Sequence, residues 1–340
     1  MEPYRKPGGQ QSGSLSTFIL LYCCLFAING SSTTTANSLS PARLNAAYLV
    51  EKIEGRLPTF IECIRESEIG IISAHRGGPV TGFPENALES VIRISELAPV
   101  FVELDVMQSR DGVLFLHHDK NLERTTTGNG SATALNWDTL RRLTLVDKDG
   151  KETGFTLPSF EEVLIWSKDK ALLQLDVKAP TSINDVINLV LAKNAQGRVV
   201  FILYSIDDAL RVLEKIPNTL VSISVKEDAG LAKVLNLDIN SSLIGLSGAE
   251  KDNSDFYHSL NELGVSVLAS SYGRVDSIES MIVQQPMPKI RNRMRQAMKK
   301  GIQIIVSNQA LALYQSLMGD KDYQSKLVSC ANRASQVEYP

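Results

Sequence analysis

Four short clusters of titratable residues recur along the middle of this chain: His75-Arg76, Glu103-x-Asp105, His118-Asp119 and Asp176-x-Lys178. Each lies on, or directly after, an apolar run with strand character, IGIISA, VFVELDV, VLFLHH and ALLQLDV in turn. Residues i and i+2 of a strand face the same way, so Glu103 and Asp105 point together, as do Asp176 and Lys178. Three carboxylates in one place repel unless a cation sits among them, and hard oxygen ligands in that number suit Mg²⁺ or Ca²⁺. Arg76 and Lys178 beside such a site suit a phosphate, Arg as a planar fork and Lys as a point charge. Two histidines, His75 and His118, complete an acid and a base. The chemistry implied is hydrolysis of a phosphate ester, with the metal as Lewis acid.

Each of these residues also has a plainer reading. A lone histidine at a strand end is usually a hydrogen-bonded structural one, and His117 is expected to be that, facing away from His118. Glu103 and Asp105 alternate with Val102, Leu104 and Val106, which a solvated strand face would also produce. Pro84-Glu85-Asn86 fits the start of a helix, with Pro in its first turn, as well as it fits a wall of the site.

The elements that must position these groups follow from the rhythm of the chain. From Ile69 onward, strand-like runs alternate with stretches of helical spacing such as ENALESVIRISELA, SINDVINLVLAK and SIDDALRVLEKI, and the strands continue through RVVFILY, LVSISV, VSVLAS and IQIIVS. Such alternation predicts an α/β fold with a parallel sheet and helical crossovers. With about eight strands, a closed (β/α)8 TIM barrel leads and an open doubly wound sheet is second. A barrel of this kind places its catalytic groups at the carboxyl ends of its strands. One join fits badly: only Met107 to Gly112 separate VELDV from VLFLHH, where a parallel crossover needs a dozen residues or more. A hairpin is the simpler reading there.

The chain has 340 residues, 43% hydrophobic and 21% charged, with 22 Gly and 13 Pro, which excludes collagen-like and disordered classes. Its net charge of −3 offers no excess for a nucleic-acid backbone. Arg5 and Lys6 precede the uncharged run Leu15–Ile28, and a Ser/Thr-rich stretch follows. These are the parts of a secretory signal peptide; the run is short for a bilayer span, which needs about 20 residues, and a signal-anchor is the competing reading. The expected organisation is a signal and exit segment at 1–36, a helical segment at 37–68, the barrel at 69–320 and a tail at 321–340. The mature chain then has no membrane span and is secreted, with a bacterial periplasm as the other destination. The basic run at 288–300 is expected to be a solvated helix face rather than a lipid-binding one.

The stretches SAHRGGPVTGFPENALESV, VELDVMQSRDGVLFLHHDKNLERTTTGNG and LLQLDVK carry a specific resemblance. The ordered set HRG, PEN, ExD, DG, HD, L-x-RTT-x-G and acid-x-Lys over residues 73–178 resembles the glycerophosphodiester phosphodiesterase (GDPD) family. That resemblance implies a TIM barrel of the phospholipase-C-like phosphodiesterase type, a divalent metal and cleavage of glycerol-3-phosphate diesters. By position, His75 and His118 fall on the family's acid/base pair and Glu103 and Asp105 on its metal ligands. Asp176 stands where the family usually has Glu, and Ala87 where it often has Thr. The expected substrate is a small glycerophosphodiester. Rival readings are a lysophospholipase D acting on lysophospholipids, and a non-catalytic binder that keeps the fold.

Two further features concern the mature chain. Asn-x-Ser sequons occur at Asn29, Asn129 and Asn240, and Asn240 is the expected glycan acceptor because Asn129 lies beside the proposed site. After loss of Cys23 and Cys24 with the signal, Cys63 and Cys330 flank the two ends of the barrel. A closed barrel brings those ends together, so a bridge is expected in an oxidising compartment.

Overall fold

The structure, a computed structural model, describes residues 44–224, 243–247, 254–271, 281–282 and 284–338. The expected signal segment and Asn240 lie outside these residues. Along the chain the strands are β1 (Ile71–Ala74), β2 (Phe101–Gln108), β3 (Leu114–Leu116), β4 (Thr144–Val146), β5 (Glu152–Thr156) and β6 (Leu172–Val177). They continue as β7 (Val199–Leu203), β8 (Leu220–Ser224), β9 (Leu243–Ser247), β10 (Ser266–Ser270) and β11 (Ile304–Ser307). Hydrogen bonding runs β1-β11-β10-β9-β8-β7-β6-β2, and β1 also pairs with β2, closing a parallel barrel of eight strands. Ser73, for example, lies opposite Val306 on one side and Phe101 on the other. Both faces of such a sheet are covered, which is why VVFIL of β7 and LLQLDV of β6 are buried throughout.

The order corrects one expectation. VLFLHH is not a barrel strand: its core, β3, turns back antiparallel on the end of β2, with Val106 opposite Leu116 and Gln108 opposite Leu114. The six-residue join is therefore a hairpin, and its turn uses Gly112 at φ 87°, a left-handed conformation that glycine adopts without strain. The eighth barrel strand is instead β9, a run absent from the sequence-based list.

Helices α1 (Ala46–Ile53) and α2 (Leu57–Glu66) precede the barrel, and α3 (Leu88–Leu97) crosses from β1 to β2. The remaining α-helices among the described residues are α4 (Trp137–Leu140), α5 (Phe160–Trp166), α6 (Ile183–Ala192), α7 (Ile206–Lys215), α8 (Ser254–Glu262), α9 (Met287–Lys299), α10 (Ala310–Leu317) and α11 (Lys321–Ser335). Local signals set their starts: Ser159 and Glu162 form a capping box on α5, and the Ser205 hydroxyl accepts from the Asp208 N–H on α7. The basic run forms α9, which buries Ile290, Met294 and Met298 at helical spacing and exposes Lys289 and Arg293. A second, smaller apolar cluster around Met107, Phe115, Leu122 and Leu145 supports the segment between β3 and β6.

Two tie-points hold the amino-terminal helices to the barrel. Arg198, just before β7, is buried, and its guanidinium donates to Glu54 Oε1 (3.0 Å), Ser167 Oγ (3.0 Å) and the carbonyls of Asn194 and Leu164. Cys63 of α2 and Cys330 of α11 form a disulfide across 267 residues of chain, with Cα atoms 5.4 Å apart. Closing so long a loop restricts the unfolded chain by about 5 kcal/mol in the entropy model. Cys330→Ser is therefore expected to lower the urea midpoint of unfolding, as reductant should in the unaltered protein. An unchanged midpoint in both would contradict the bridge.

Candidate active site

The site begins with the register of two neighbouring strands. β2 and β6 pair so that Asp105 lies opposite Asp176 and Glu103 opposite Gln174. The i, i+2 alternation turns Glu103, Asp105, Gln174 and Asp176 into the barrel, and all four are buried. One oxygen from each of Glu103, Asp105 and Asp176 lies within 4.8 Å of the others. Asp105 is clamped by the Asn86 amide, whose Nδ2 donates to Oδ2 (2.7 Å) while Oδ1 accepts the Asp105 N–H (3.0 Å). Glu103 Oε2 accepts the Arg76 N–H at 2.7 Å. Asp176 Oδ2 accepts from Lys178 Nζ (2.5 Å) and the Tyr204 hydroxyl (2.9 Å), and Lys178 Nζ also lies 3.0 Å from Asp105 Oδ1.

Burial, then the negative charges of Asp105 and Asp176, pushes the Glu103 carboxyl well above its ordinary range. Burial likewise raises Asp176, whereas at Asp105 the same penalty is outweighed by Lys178 and Asn86, which hold it low. Asp176 Oδ1 is buried without a hydrogen-bond partner. An under-satisfied carboxylate oxygen within a hard, all-oxygen donor set fits a divalent cation.

His75 follows β1 directly. Its Nδ1 donates to Oδ1 of Asn308 at 2.7 Å, the residue after the neighbouring strand β11, and its Nε2 lies 4.0 Å from Glu103 Oε2. Burial pushes the His75 imidazole down to about 4. Arg76 adopts φ 52°, a left-handed conformation that aims its N–H at Glu103 and its side chain at Glu85 (Nη1 to Oε1, 3.0 Å). Its Nε–H is buried without a hydrogen-bond partner, 3.6 Å from Asp105 Oδ2.

His118 reaches the same mouth by the hairpin. β2 runs on beyond the pairing with β6, turns, and returns so that the His117 N–H donates to the Asp105 carbonyl. The next residue, His118, opens with Asp119, Lys120, Asn121 and Lys178 onto a cavity of about 540 Å³. Its Nδ1 donates to Asp119 Oδ1 at 2.6 Å, and Arg124 Nε donates to the other oxygen at 2.5 Å, which holds the Asp119 carboxyl well below its usual range. His117 is buried and donates from Nε2 to the Asn121 carbonyl, a structural placement.

Every residue singled out for the phosphate and metal chemistry is thus brought to one end of the barrel. Of their two readings, Glu85 and Asn86 take that of a site wall: Pro84 to Asn86 lie ahead of α3 rather than in its first turn, and the two side chains turn to Arg76 and Asp105. Sequence reasoning passed over Asn308, Tyr204 and Arg124. The first two stand immediately after β11 and β7, the position that carries His75 after β1, and Arg124 lies inside the L-x-RTT motif.

Comparison with known proteins agrees with this geometry. Residues 75–307 match the model of the glycerophosphoryl diester phosphodiesterase family. A glycerophosphodiester phosphodiesterase of Caldanaerobacter subterraneus subsp. tengcongensis is 33% identical over 112 residues, covering 32% of this chain and 45% of that protein. The chain spans about half the length of the curated relatives it matches first. Among solved structures, a glycerophosphoryl diester phosphodiesterase from Parabacteroides distasonis superposes with a TM-score of 0.65 at 25% identity, over 74% of this chain and 86% of that one. An Oleispira antarctica phosphodiesterase, solved with the product sn-glycerol-3-phosphate, gives 0.58 at 20% identity over 75% and 99%, a likeness of fold. The family match takes in both histidines, the acidic trio, Arg76 and Lys178, and by it the chain belongs to the glycerophosphoryl diester phosphodiesterase family.

Proposed function

We propose that this chain is a metal-dependent phosphodiesterase that hydrolyses glycerol-3-phosphate diesters to glycerol 3-phosphate and an alcohol. The observation that carries the reading is the convergence of two imidazoles on a buried carboxylate trio with a cation on each flank. Glu103, Asp105 and Asp176 would hold Mg²⁺ or Ca²⁺, which supplies Lewis-acid withdrawal of charge from the phosphoryl oxygens. Arg76, with its uncommitted Nε–H, and Lys178 bind and orient the phosphate.

The surroundings of the two histidines divide the proton work. Burial keeps His75 neutral, and its Nδ1–H is committed to Asn308, which leaves Nε2 as the basic face toward the trio. It takes the proton of the attacking oxygen, which belongs to water or to the substrate's neighbouring hydroxyl; the latter gives a cyclic phosphate that water then opens. His118 donates Nδ1–H to the Asp119 carboxylate, which fixes the orientation of the ring. It gives its Nε2 proton to the leaving alkoxide as the phosphorus–oxygen bond breaks.

Among the described residues, the cavity beside His118 is lined by the polar side chains of His118, Asp119, Lys120, Asn121 and Lys178, which supports the reading of a small polar alcohol. Secretion is part of the same proposal, supported by the uncharged run Leu15–Ile28 and by a disulfide of the kind that persists in oxidising compartments. The chain recovered from the medium of a secreting host should begin near residue 37. Retention of the intact chain in the membrane fraction would favour the signal-anchor instead.

With Mg²⁺ or Ca²⁺, glycerophosphocholine should be cleaved faster than lysophosphatidylcholine. Chelator or Glu103→Gln should remove most of that activity while the folded circular-dichroism spectrum persists. Full turnover in excess chelator would contradict the metal, and preference for the lysophospholipid would contradict the substrate.

His75→Ala and His118→Ala should each lose about 10²–10⁴-fold on glycerophosphocholine, while exposed His258→Ala changes little. A p-nitrophenyl diester, whose leaving group needs no proton, should largely rescue His118→Ala and leave His75→Ala impaired. Rescue of His75→Ala alone would reverse the two roles.

A further inference from the structure

Arg124 has no part in the roles given above, yet it stands at the centre of a continuous chain of charges. Its Nη1 and Nη2 donate to the two carboxylate oxygens of Glu85 at 2.8 and 2.7 Å, and its Nε donates to Asp119 Oδ2 at 2.5 Å. Glu85 Oε1 also accepts from Arg76 Nη1 at 3.0 Å, and Asp119 Oδ1 accepts from His118 Nδ1 at 2.6 Å. The order His118–Asp119–Arg124–Glu85–Arg76 therefore alternates in charge when His118 is protonated. It joins the loop after β3 to the loop after β1.

We propose that Arg124 is a positioning residue that holds the His118–Asp119 pair in fixed relation to Arg76, and so aims the leaving-group proton at the bound phosphate. The inference rests on the roles proposed for His118 and Arg76. A surface ion pair alone does little, and the Arg124 side chain is 48% exposed. This one differs in three respects. It is bidentate on Glu85, whose side chain is only 15% exposed; Glu85 is pinned a second time by Arg76; and the third guanidinium donor is spent on the carboxylate that orients His118. A guanidinium makes these three bonds at once because its donors are fixed in one plane, and an ammonium has no such fork. The sequence permits the arrangement because the turn Leu122–Thr126, closed by the Thr126 N–H on the Leu122 carbonyl at 3.0 Å, carries Arg124 at its middle. Thr126, two residues on, anchors that turn by donating from its hydroxyl to the Leu122 carbonyl at 2.8 Å.

A group that acts through a general acid matters only where the leaving group needs a proton. On glycerophosphocholine, Arg124→Ala is expected to lose about 10- to 100-fold in kcat, part of the ~10²–10⁴ available to the acid itself. On the p-nitrophenyl diester the same variant is expected to stay within about threefold of the unaltered protein. Asp119→Asn, which keeps the shape of the side chain, should show the same split, and adding Arg124→Ala to His118→Ala should cost nothing further. Thermal unfolding of each variant separates lost folding from lost chemistry. Equal loss on both diesters, or full additivity with His118→Ala, would reduce Arg124 to a structural clasp and overturn the inference. An unaltered protein inactive on both diesters would instead overturn the reading of the site itself.

Discussion

Two aspartates placed side by side inside a closed barrel are the constraint around which this molecule is arranged. The parallel register of β2 and β6 sets Asp105 opposite Asp176, and the pleat adds Glu103 on the same face. Buried carboxylates at such spacing cannot all ionise on their own, and the protein responds with one clamp per group. Asn86 holds Asp105 through both ends of its amide, the Arg76 N–H holds Glu103, and Lys178 with Tyr204 holds Asp176. These clamps orient the oxygens and leave a buried, all-oxygen donor set that could hold a divalent cation.

The clamps come from loops, and the loops explain the local conformations. Arg76 and Asn86 are non-glycine residues at φ 52° and 55°, and each strained backbone turns a polar group onto the acidic trio. The hairpin of β2 and β3 solves a different problem. A barrel strand delivers side chains only at its own end, whereas a strand that overshoots and folds back delivers His118 beside groups it does not neighbour in the barrel order. The opposite end of the barrel carries the stabilising work, through buried Arg198 and the bridge of Cys63 to Cys330.

Much of this was legible in the residues. The i, i+2 pairs, the strand–helix rhythm and the two distant cysteines each follow from periodicity and position, and each is found where expected. Direction was harder, because an apolar run announces a strand but not its partner. VLFLHH reads as a barrel strand by composition, and only the short join at Met107 to Gly112 points to the hairpin it forms. β9 escaped notice for a packing reason: Gly245 interrupts its apolar run, and a Cβ there would come within 3.3 Å of Leu260 on α8. The chain trades strand propensity for close approach of a helix at that point. Asn308, Tyr204 and Arg124 were invisible for another reason, since their value lies in what they touch across the fold.

The central claim is that the buried trio is built to hold a divalent cation in the folded state. A ligand that binds only the folded chain raises its unfolding temperature by mass action. Thermal unfolding of the metal-stripped protein, titrated with Mg²⁺ and with Ca²⁺, tests this without reference to turnover. The account predicts a saturable rise with one or both ions that disappears in Asp176→Asn. No rise with either ion, or an equal rise in the variant, would contradict it.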